Sequence, residues 1–177
     1  RARVTSDEER DFLAAHVAGS STTYRDIDTA DHVALVAFEP EEESPIVFLR
    51  LNKNFKKRGL KVSAVATKGS IAMDKLKADF IKVAPGAESA AVAGLALTAK
   101  SVILVGERAS ESAGLFTSVA ALAAKTGAKV AYIPRRAGER GALEAGALGN
   151  VLPGGRPVMD AAARVDIAAA WGVDSLP

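Results

Sequence analysis

The sequence predicts a three-layer α/β fold, in which a doubly wound parallel sheet of about five strands carries helices on both faces. Short apolar runs rich in β-branched residues recur along the chain, the first at Val33–Phe38, and such runs are typical of strands buried on both faces. Amphipathic stretches of helical length lie between them. Because this alternation indicates right-handed parallel connections, the predicted fold is Rossmann-like.

A short helix is predicted first, since Ser6 followed by Glu9 forms a capping-box signature and Gly19 can end the helix. Residues 1–29 are therefore interpreted as an N-terminal helix and lead-in. The two histidines, His16 and His32, lie in no recognisable motif. They predict neither a metal site nor a catalytic triad.

The helix that follows the first strand has signals at both ends. Ser44 can cap it, and Pro45 occupies the first helical position, where a missing N–H costs nothing. Lys56–Arg58 fall in the last turn, where the helix dipole favours cations, and Gly59 can end the helix in a left-handed conformation. The predicted apolar side is broad and consists of Ile46, Val47, Phe48, Leu49 and Phe55.

The turn between this strand and this helix is acidic, with Glu at 39, 41, 42 and 43. A strand-to-helix turn that binds a dinucleotide carries glycines, so that the pyrophosphate can approach the helix N-terminus. Four carboxylates repel one another and any phosphate. The turn is interpreted as a solvated acidic loop that complements the helix dipole, and a basic protein partner or a metal remains the alternative.

The remaining elements continue the alternation. The predicted strands are Lys61–Thr67, Asp79–Ala84, Ser101–Gly106 and Val130–Ile133. The predicted helical segments are a short or irregular one over Ser70–Lys77, one over Glu88–Thr98, one from Ser112 that ends near Gly127, and a last one over Ala161–Trp171. Asp160 caps this last helix, whose apolar side holds Val165, Ile167 and Trp171. Residues 30–134 therefore form the predicted Rossmann-like domain, and 135–177 a Gly/Arg-rich tail and C-terminal helix that pack on it.

Ligands of such sheets bind at the carboxyl ends of the strands, where the strand order reverses. Gly106 directly follows a strand, but the further glycines of a dinucleotide fingerprint are absent, so nucleotide binding is weakly indicated. The tail supplies Arg135, Arg136, Arg140 and Arg156. These arginines either hold an anion or, the favoured interpretation, pair with acidic residues of a neighbouring domain.

Composition excludes several classes of function. The net charge of the 177 residues is only +2, which gives no reason to expect a nucleic-acid partner, and no apolar run is long enough for direct membrane insertion. The chain has no cysteine, which excludes disulfides and thiolate metal clusters in it. Because it opens on Arg1 rather than Met, we expect a piece of a longer chain.

Three segments resemble the G subunit of the bacterial proton-pumping NADH-quinone oxidoreductase family, respiratory complex I, most closely its actinobacterial members. They are FEPEEESPIVFLRL at residues 38–51, the stretch 112–158 that contains IPRRAGERGALEAGALGNVLPGGRPV, and AARVDIAAAWGVDSLP at residues 162–177. The part from Arg140 to Pro157 is the most specific. The resemblance covers most of the chain from Ser6 onward.

The resemblance implies a parent subunit that carries iron–sulfur clusters and passes electrons from NADH towards quinone, peripherally on the cytoplasmic side of the plasma membrane. This chain would be a cofactor-free structural subdomain of its molybdopterin-oxidoreductase-like region, without catalytic or metal-binding residues. Its partners would be the remaining domains of the subunit and other peripheral-arm subunits. An isolated piece of this kind is expected to have no activity of its own.

Two alternatives stay open. In the first, Gly106 and the tail arginines bind molybdopterin guanine dinucleotide, and the chain belongs to a catalytic, formate-dehydrogenase-like oxidoreductase. In the second, the chain is the middle domain of a thiamine-diphosphate-type enzyme, which also has a Rossmann-like sheet without a glycine fingerprint. Periodicity cannot separate these alternatives from the first interpretation, and only the tail resemblance speaks against the second.

Overall fold

The computed structural model describes residues 6–18 and 22–177. Contacts along the chain divide it into two compact units. The sheet unit consists of residues 21–135, and the terminal unit of residues 1–20 and 136–177.

The sheet unit is built on a five-stranded parallel sheet, which confirms the predicted fold class. Its strands are β1 (His32–Val36), β2 (Lys61–Ala66), β3 (Asp79–Lys82), β4 (Val102–Gly106) and β5 (Lys129–Ile133). The strand order is β3-β2-β1-β4-β5, and every pairing is parallel. The central strands β1 and β4 are buried along their whole length, as expected for strands covered on both faces.

Short helices connect and flank these strands. In the sheet unit they are α2 (Tyr24–Thr29), α3 (Pro40–Glu43), α4 (Pro45–Arg58), α5 (Ile71–Lys75), α6 (Glu88–Ala93) and α7 (Leu115–Thr126), with a 3₁₀ helix at Glu107–Glu111. The terminal unit contains α1 (Asp7–His16), α8 (Glu139–Glu144) and α9 (Ala161–Trp171), and the antiparallel strands β6 (Val151–Leu152) and β7 (Arg156–Pro157). No helix in the described part of the chain is long and apolar enough to cross a membrane.

The two faces of the sheet carry different helices. On one face Val33 and Leu35 of β1 pack in one apolar cluster with Leu51 of α4 and Leu76 of α5. The later connections run the other way along the sheet, so right-handed crossovers place α6 and α7 on the opposite face. These two helices pack against each other, which completes the three predicted layers.

Helix α4 has the predicted bounds, but its apolar side is narrower than predicted. It begins at Pro45 and ends at Arg58, and the next residue, Gly59, has the expected left-handed conformation with φ of +68°. Ser44 makes no side-chain capping bond and instead ends α3. Ile46 and Leu49 are 54% and 58% exposed, so their assignment to the apolar side was wrong.

Other element ends differ from the predicted ones because local turns compete with the regular pattern. Helix α6 ends at Ala93, since Gly94 donates its N–H to Ala91 three residues back and begins a turn. Helix α7 begins at Leu115 rather than Ser112, because a 3₁₀ helix extends to Glu111 and Gly114, directly before α7, has a left-handed conformation with φ of +78°. The strands match the prediction to within a few residues at each end.

The terminal unit is more regular than its sequence suggested. The tail, which shows no clear period, contains α8 and the β6–β7 pair. Helix α9 has the predicted bounds, and Asp160 accepts the N–H groups of Ala162 and Ala163 at 3.0 and 3.2 Å. Its predicted apolar side was right at Ile167, which is buried, and wrong at Val165 and Trp171, which are 69% and 58% exposed.

The first predicted helix is present as α1. Its cap is the predicted one, because the hydroxyl of Ser6 accepts the N–H of Glu9 at 3.1 Å. The predicted end of this helix at Gly19 lies outside the described residues.

Candidate functional site

The strand order places a reversal point between β1 and β4. From β1 the chain moves to β2 and β3 on one side, and then crosses over to β4 and β5 on the other. In open parallel sheets the crevice at the carboxyl ends of the two central strands is where ligands bind. The fold therefore places a candidate functional site in this crevice.

The chain's own backbone fills the crevice where β4 ends. A Cβ atom added to Gly106 would lie 2.3 Å from the carbonyl oxygen of Ala37, which follows β1. Ala37 itself has a left-handed conformation with φ of +48°, which is uncommon for alanine. Gly106, which the sequence singled out as a candidate nucleotide contact, thus allows a close approach between two segments of this chain.

The acidic turn that follows β1 is folded into the helical turn α3. The side chain of Glu39 accepts the N–H of Glu42 at 2.8 Å, and the N–H of Glu39 donates to Glu43 Oε1 at 3.1 Å. Residues of the acidic turn therefore cap their own first helical turn, which satisfies N–H groups that would otherwise lack partners.

Glu43 lies at the centre of the ionic contacts in this crevice. Its carboxylate accepts from Nη2 of Arg108 at 2.7 Å and lies 3.4 Å from Nε of Arg135. Its side chain is only 7% exposed, whereas the two arginines are 41% and 48% exposed. The interpretation of the turn as a solvated loop was therefore wrong at Glu43, because cations from distant parts of the chain cover it.

Two more carboxylates of the turn are bound to the neighbouring α5 region. Ser70 donates to Glu39 Oε1 at 2.7 Å, and Nζ of Lys75 lies 2.5 Å from Glu41 Oε1. The backbone N–H of Arg135 also donates to Glu107 at 3.3 Å. The carboxyl ends of several strands are thus joined by a network of ionic contacts within the sheet unit.

A cavity of about 330 Å³ lies beside this network. Its lining includes Ala37 after β1, Thr67 after β2, Arg108, Glu88 and Ser112. Ser112 donates to Glu88 at 2.8 Å, so two of its polar groups satisfy each other. The cavity lies where the fold would place a ligand, and its carboxylate and hydroxyl groups do not form a ready-made phosphate cradle.

Three of the four tail arginines are each paired with a carboxylate of the terminal unit. Arg136 lies 3.6 Å from Glu139, Arg140 lies 2.8 Å from Glu144, and Arg156 lies 2.9 Å from Asp166. Gly106 and Arg135 belong instead to the sheet unit. The predicted site residues are thus divided between the two units, and each of these arginines has an ionic partner in its own unit.

The two histidines are separate from the crevice residues. His32 Nε2 lies 2.8 Å from Ser63 Oγ in the buried pairing of β1 with β2. Burial lowers the pKa of His32 below its ordinary 6.5, and the charge of Lys61 acts in the same direction. Burial also lowers the pKa of His16. Within residues 6–18 and 22–177, no three His, Cys, Asp or Glu side chains are grouped so as to hold a metal ion.

The spacing of residues along the chain could not have revealed the role of Glu43. Its partners lie 65 and 92 residues further along the chain. A weak signal was present, since Arg108 and Arg135 both follow strands whose carboxyl ends lie beside the acidic turn once the strand order is known. That order is the information the sequence lacks.

The strand order, the crossovers and the reversal point define a doubly wound, Rossmann-like α/β domain, and no family model matches the chain. Curated relatives do match it. The chain is 48% identical over 187 residues to the NADH-quinone oxidoreductase G subunits of Mycobacterium tuberculosis and of Mycobacterium bovis, and 46% identical over 209 residues to that of Streptomyces coelicolor. The whole chain is therefore similar to part of the G subunits of NADH-quinone oxidoreductase.

All of this chain is covered in each of these matches. The chain spans 23% of the length of the two mycobacterial relatives and 25% of that of the Streptomyces relative. It thus matches one segment of the G subunit, and the resemblance seen in its sequence is confirmed.

Proposed function

We propose that the chain is a structural segment of the G subunit that holds no cofactor of its own. In this proposal the parent subunit carries the iron–sulfur clusters and passes electrons from NADH towards quinone. The segment contributes an α/β domain to the peripheral part of the complex, on the cytoplasmic side of the membrane. Its partners are the other domains of the same subunit and neighbouring peripheral subunits.

The observation that carries this proposal is the nearly buried Glu43 between Arg108 and Arg135. A Rossmann-like domain that binds a dinucleotide keeps the carboxyl end of its central strands open for a pyrophosphate. Here a carboxylate with 7% exposure occupies this end of the sheet, and the backbone of Ala37 approaches Gly106 too closely for any side chain. The crevice is used for contacts within the chain.

The charges in the crevice also oppose a phosphate. Two unit charges 4 Å apart interact by about 4 kcal/mol at the effective dielectric constant typical of a protein surface. A pyrophosphate beside Glu43 would meet this repulsion and would also have to take Arg108 and Arg135 away from their carboxylate. Since Glu43 is nearly buried, its charge cannot be solvated elsewhere without moving the turn.

A ligand-binding experiment tests the absence of a cofactor. A ligand present at a hundred times its dissociation constant stabilises the native state by about 2.7 kcal/mol, which raises the Tm of a domain of this size by roughly 5–10 °C. We expect NADH, FAD and guanine nucleotides to leave the Tm unchanged. A saturable rise with any of them would contradict the proposal.

A second experiment tests the structural role in the parent enzyme. We expect Glu43→Ala in the full-length G subunit to reduce the amount of assembled NADH-quinone oxidoreductase and to leave the turnover of each assembled complex unchanged. The matched control is Glu42→Ala, because Glu42 lies in the same turn with an exposed side chain. Loss of turnover in assembled Glu43→Ala complexes would show that the segment takes part in the reaction.

The alternative is a guanine-dinucleotide-binding segment of a catalytic molybdopterin oxidoreductase. The cavity of about 330 Å³ at the carboxyl ends of the strands is the observation that favours it. This alternative requires Arg135→Ala or Arg140→Ala to weaken the binding of guanine nucleotides. If the unsubstituted chain binds none of them, the alternative is excluded.

A further inference from the structure

The charge of the chain is distributed unevenly. Residues 45–83 contain ten Lys and Arg but only two Asp and no Glu, although the whole chain has 23 basic and 21 acidic residues. This stretch therefore has a formal charge of +8 in a chain whose net charge is +2. It forms α4, β2, α5 and β3, so the sheet unit has one strongly basic side.

Some of these cations are engaged within the sheet unit. Arg50 pairs with Asp28 at 2.6 Å, Lys75 pairs with Glu41, and Arg58 donates to backbone carbonyl groups of Asp28 and Ala30. Several others form no ion pair with any described residue. Five of them, Lys56, Lys57, Lys61, Lys77 and Lys82, are exposed and form what we call the lysine cluster.

The lysine cluster lies on the elements that lead up to and form the outer strand of the sheet. Lys56 and Lys57 lie in the last turn of α4, which leads directly into β2, where Lys61 is the first residue. Lys77 lies in the turn just before β3, two residues ahead of Asp79, which is opposite Ser63 of β2. Lys82 is the last residue of β3. Asp74 and Asp79 are the two carboxylates of the basic stretch and leave a large excess of positive charge.

The outer edge of β3 also has unpaired backbone groups. In the described sheet β3 pairs only with β2. Val83 donates its N–H to Ala66 of the β2 side at 3.2 Å, and backbone direction alternates along a parallel strand. The N–H and C=O groups of Phe80 and Lys82 therefore point away from β2. Such an edge is a template for another strand.

We propose that the edge of β3 and the lysine cluster bind an extended, acidic polypeptide segment. The added strand would complete the hydrogen bonds of Phe80 and Lys82, and its carboxylates would meet the lysines. A polypeptide fits this surface better than a nucleic acid or a lipid headgroup, because only a polypeptide can continue the backbone ladder. The lysines would also repel basic strands, which makes the edge selective.

This inference deepens the proposed structural role and relies on it for its setting, because it names the kind of partner that the segment holds. Its test is separate. Nucleotide binding would overturn the structural role and leave the β3 edge unaffected, whereas failure of an acidic peptide to bind would overturn the inference and leave the ionic contacts of the crevice unaffected.

The probe is a synthetic peptide in which Glu alternates with Val, added to the isotopically labelled chain at low salt. We expect the amide resonances of Phe80 and Lys82 to shift and their hydrogen exchange to slow, with an affinity that falls as salt is added. Two control peptides each keep one property of the probe. The peptide with Lys in place of Glu can still pair with a strand but has the wrong charge. The peptide with Pro in place of Val keeps the negative charge but cannot pair with a strand.

Two sets of substitutions locate the site. The triple variant with Lys61→Gln, Lys77→Gln and Lys82→Gln should bind the acidic peptide about tenfold more weakly, as expected for the loss of several exposed ion pairs. The control with Lys100→Gln and Lys125→Gln, exposed lysines elsewhere in the sheet unit, should bind within about twofold of the original chain.

Three outcomes would overturn the inference. One is equal binding of the Pro-containing peptide, which would remove the role of the β3 edge. Another is equal weakening by the control substitutions, which would show a diffuse charge effect. The third is tighter binding of polyuridylate or of phosphatidylglycerol vesicles than of the acidic peptide, which would assign the cluster to a different polyanion.

Discussion

Replacing Glu43 by Ala is the sharpest test of the ionic contacts in the crevice. The substitution removes an acceptor for Arg108 at 2.7 Å, the contact with Arg135 at 3.4 Å and the acceptor for the N–H of Glu39 at 3.1 Å. The two guanidinium groups are partly exposed, so water can replace part of what they lose. The loss of stability is therefore smaller than the sum of three buried interactions.

The expected magnitude follows from these three contacts. A hydrogen bond to a charged group contributes about 1.5–3 kcal/mol, which partial exposure of Arg108 reduces to about 1–2 kcal/mol. The longer contact with Arg135 adds at most about 1 kcal/mol. The unpaired N–H of Glu39 costs about 0.5–1.5 kcal/mol. We expect Glu43→Ala to lower the free energy of unfolding by about 2–4 kcal/mol.

The assay is urea unfolding followed by circular dichroism, with thermal unfolding as a second measurement. The expected fall in Tm is roughly 5–12 °C. Glu43→Gln keeps the shape and one acceptor oxygen, so it should cost about half as much. Glu42→Ala should change the free energy of unfolding by less than about 0.5 kcal/mol. If Glu43→Ala costs no more than Glu42→Ala, the ionic contacts of Glu43 do not stabilise the fold.

Three further measurements test separate features. Gly106→Ala should cost about 1–3 kcal/mol in urea unfolding, because its Cβ would lie 2.3 Å from the carbonyl oxygen of Ala37. Gly141→Ala, with open space around it in helix α8, should be neutral or stabilising. The pKa of His32 is lowered in the folded chain, so the unfolded chain binds more protons as the pH falls. The free energy of unfolding should therefore be retained above pH 6.5 and decrease as the pH falls from there through the folded-state pKa. A smaller decrease in His32→Asn would confirm the assignment to His32. Trp171, the single tryptophan and 58% exposed, should emit like a solvated indole and be quenched readily by iodide; a blue-shifted, protected emission would contradict its exposure.

The sequence predicts well what local contacts decide. Helix α4 begins at Pro45 and ends before Gly59 as predicted, because the signals that set helix ends act within one turn. Helix α9 likewise has its predicted bounds, with Asp160 as its cap. Strands β1 and β4 are found because a run that is buried on both faces is apolar throughout. Each of these features can be read from a few adjacent residues.

Features that depend on distant residues could not be predicted in the same way. Strand order is one, because every apolar run of this chain is compatible with several positions in a sheet. The exposure of Val165 and Trp171 is another, since α9 is apolar on most sides and its periodicity does not single out the buried one. Glu43 is the third, because burial of a carboxylate requires cations that only the folded chain brings near.

Whether an arginine of this chain can bind an anion depends on how buried its partner carboxylate is, rather than on the number of arginines nearby. Arg156 pairs with Asp166, whose side chain is 67% exposed, so a phosphate could take its place while the carboxylate moves into water. Arg135 pairs with Glu43, whose side chain is 7% exposed and would remain beside the phosphate with only Arg108 to compensate its charge. The gain from one new guanidinium–phosphate pair is offset by that repulsion. A titration with inorganic phosphate should therefore perturb the side-chain resonances of Arg156 before those of Arg135, and the reverse order would show that the crevice accepts an anion after all.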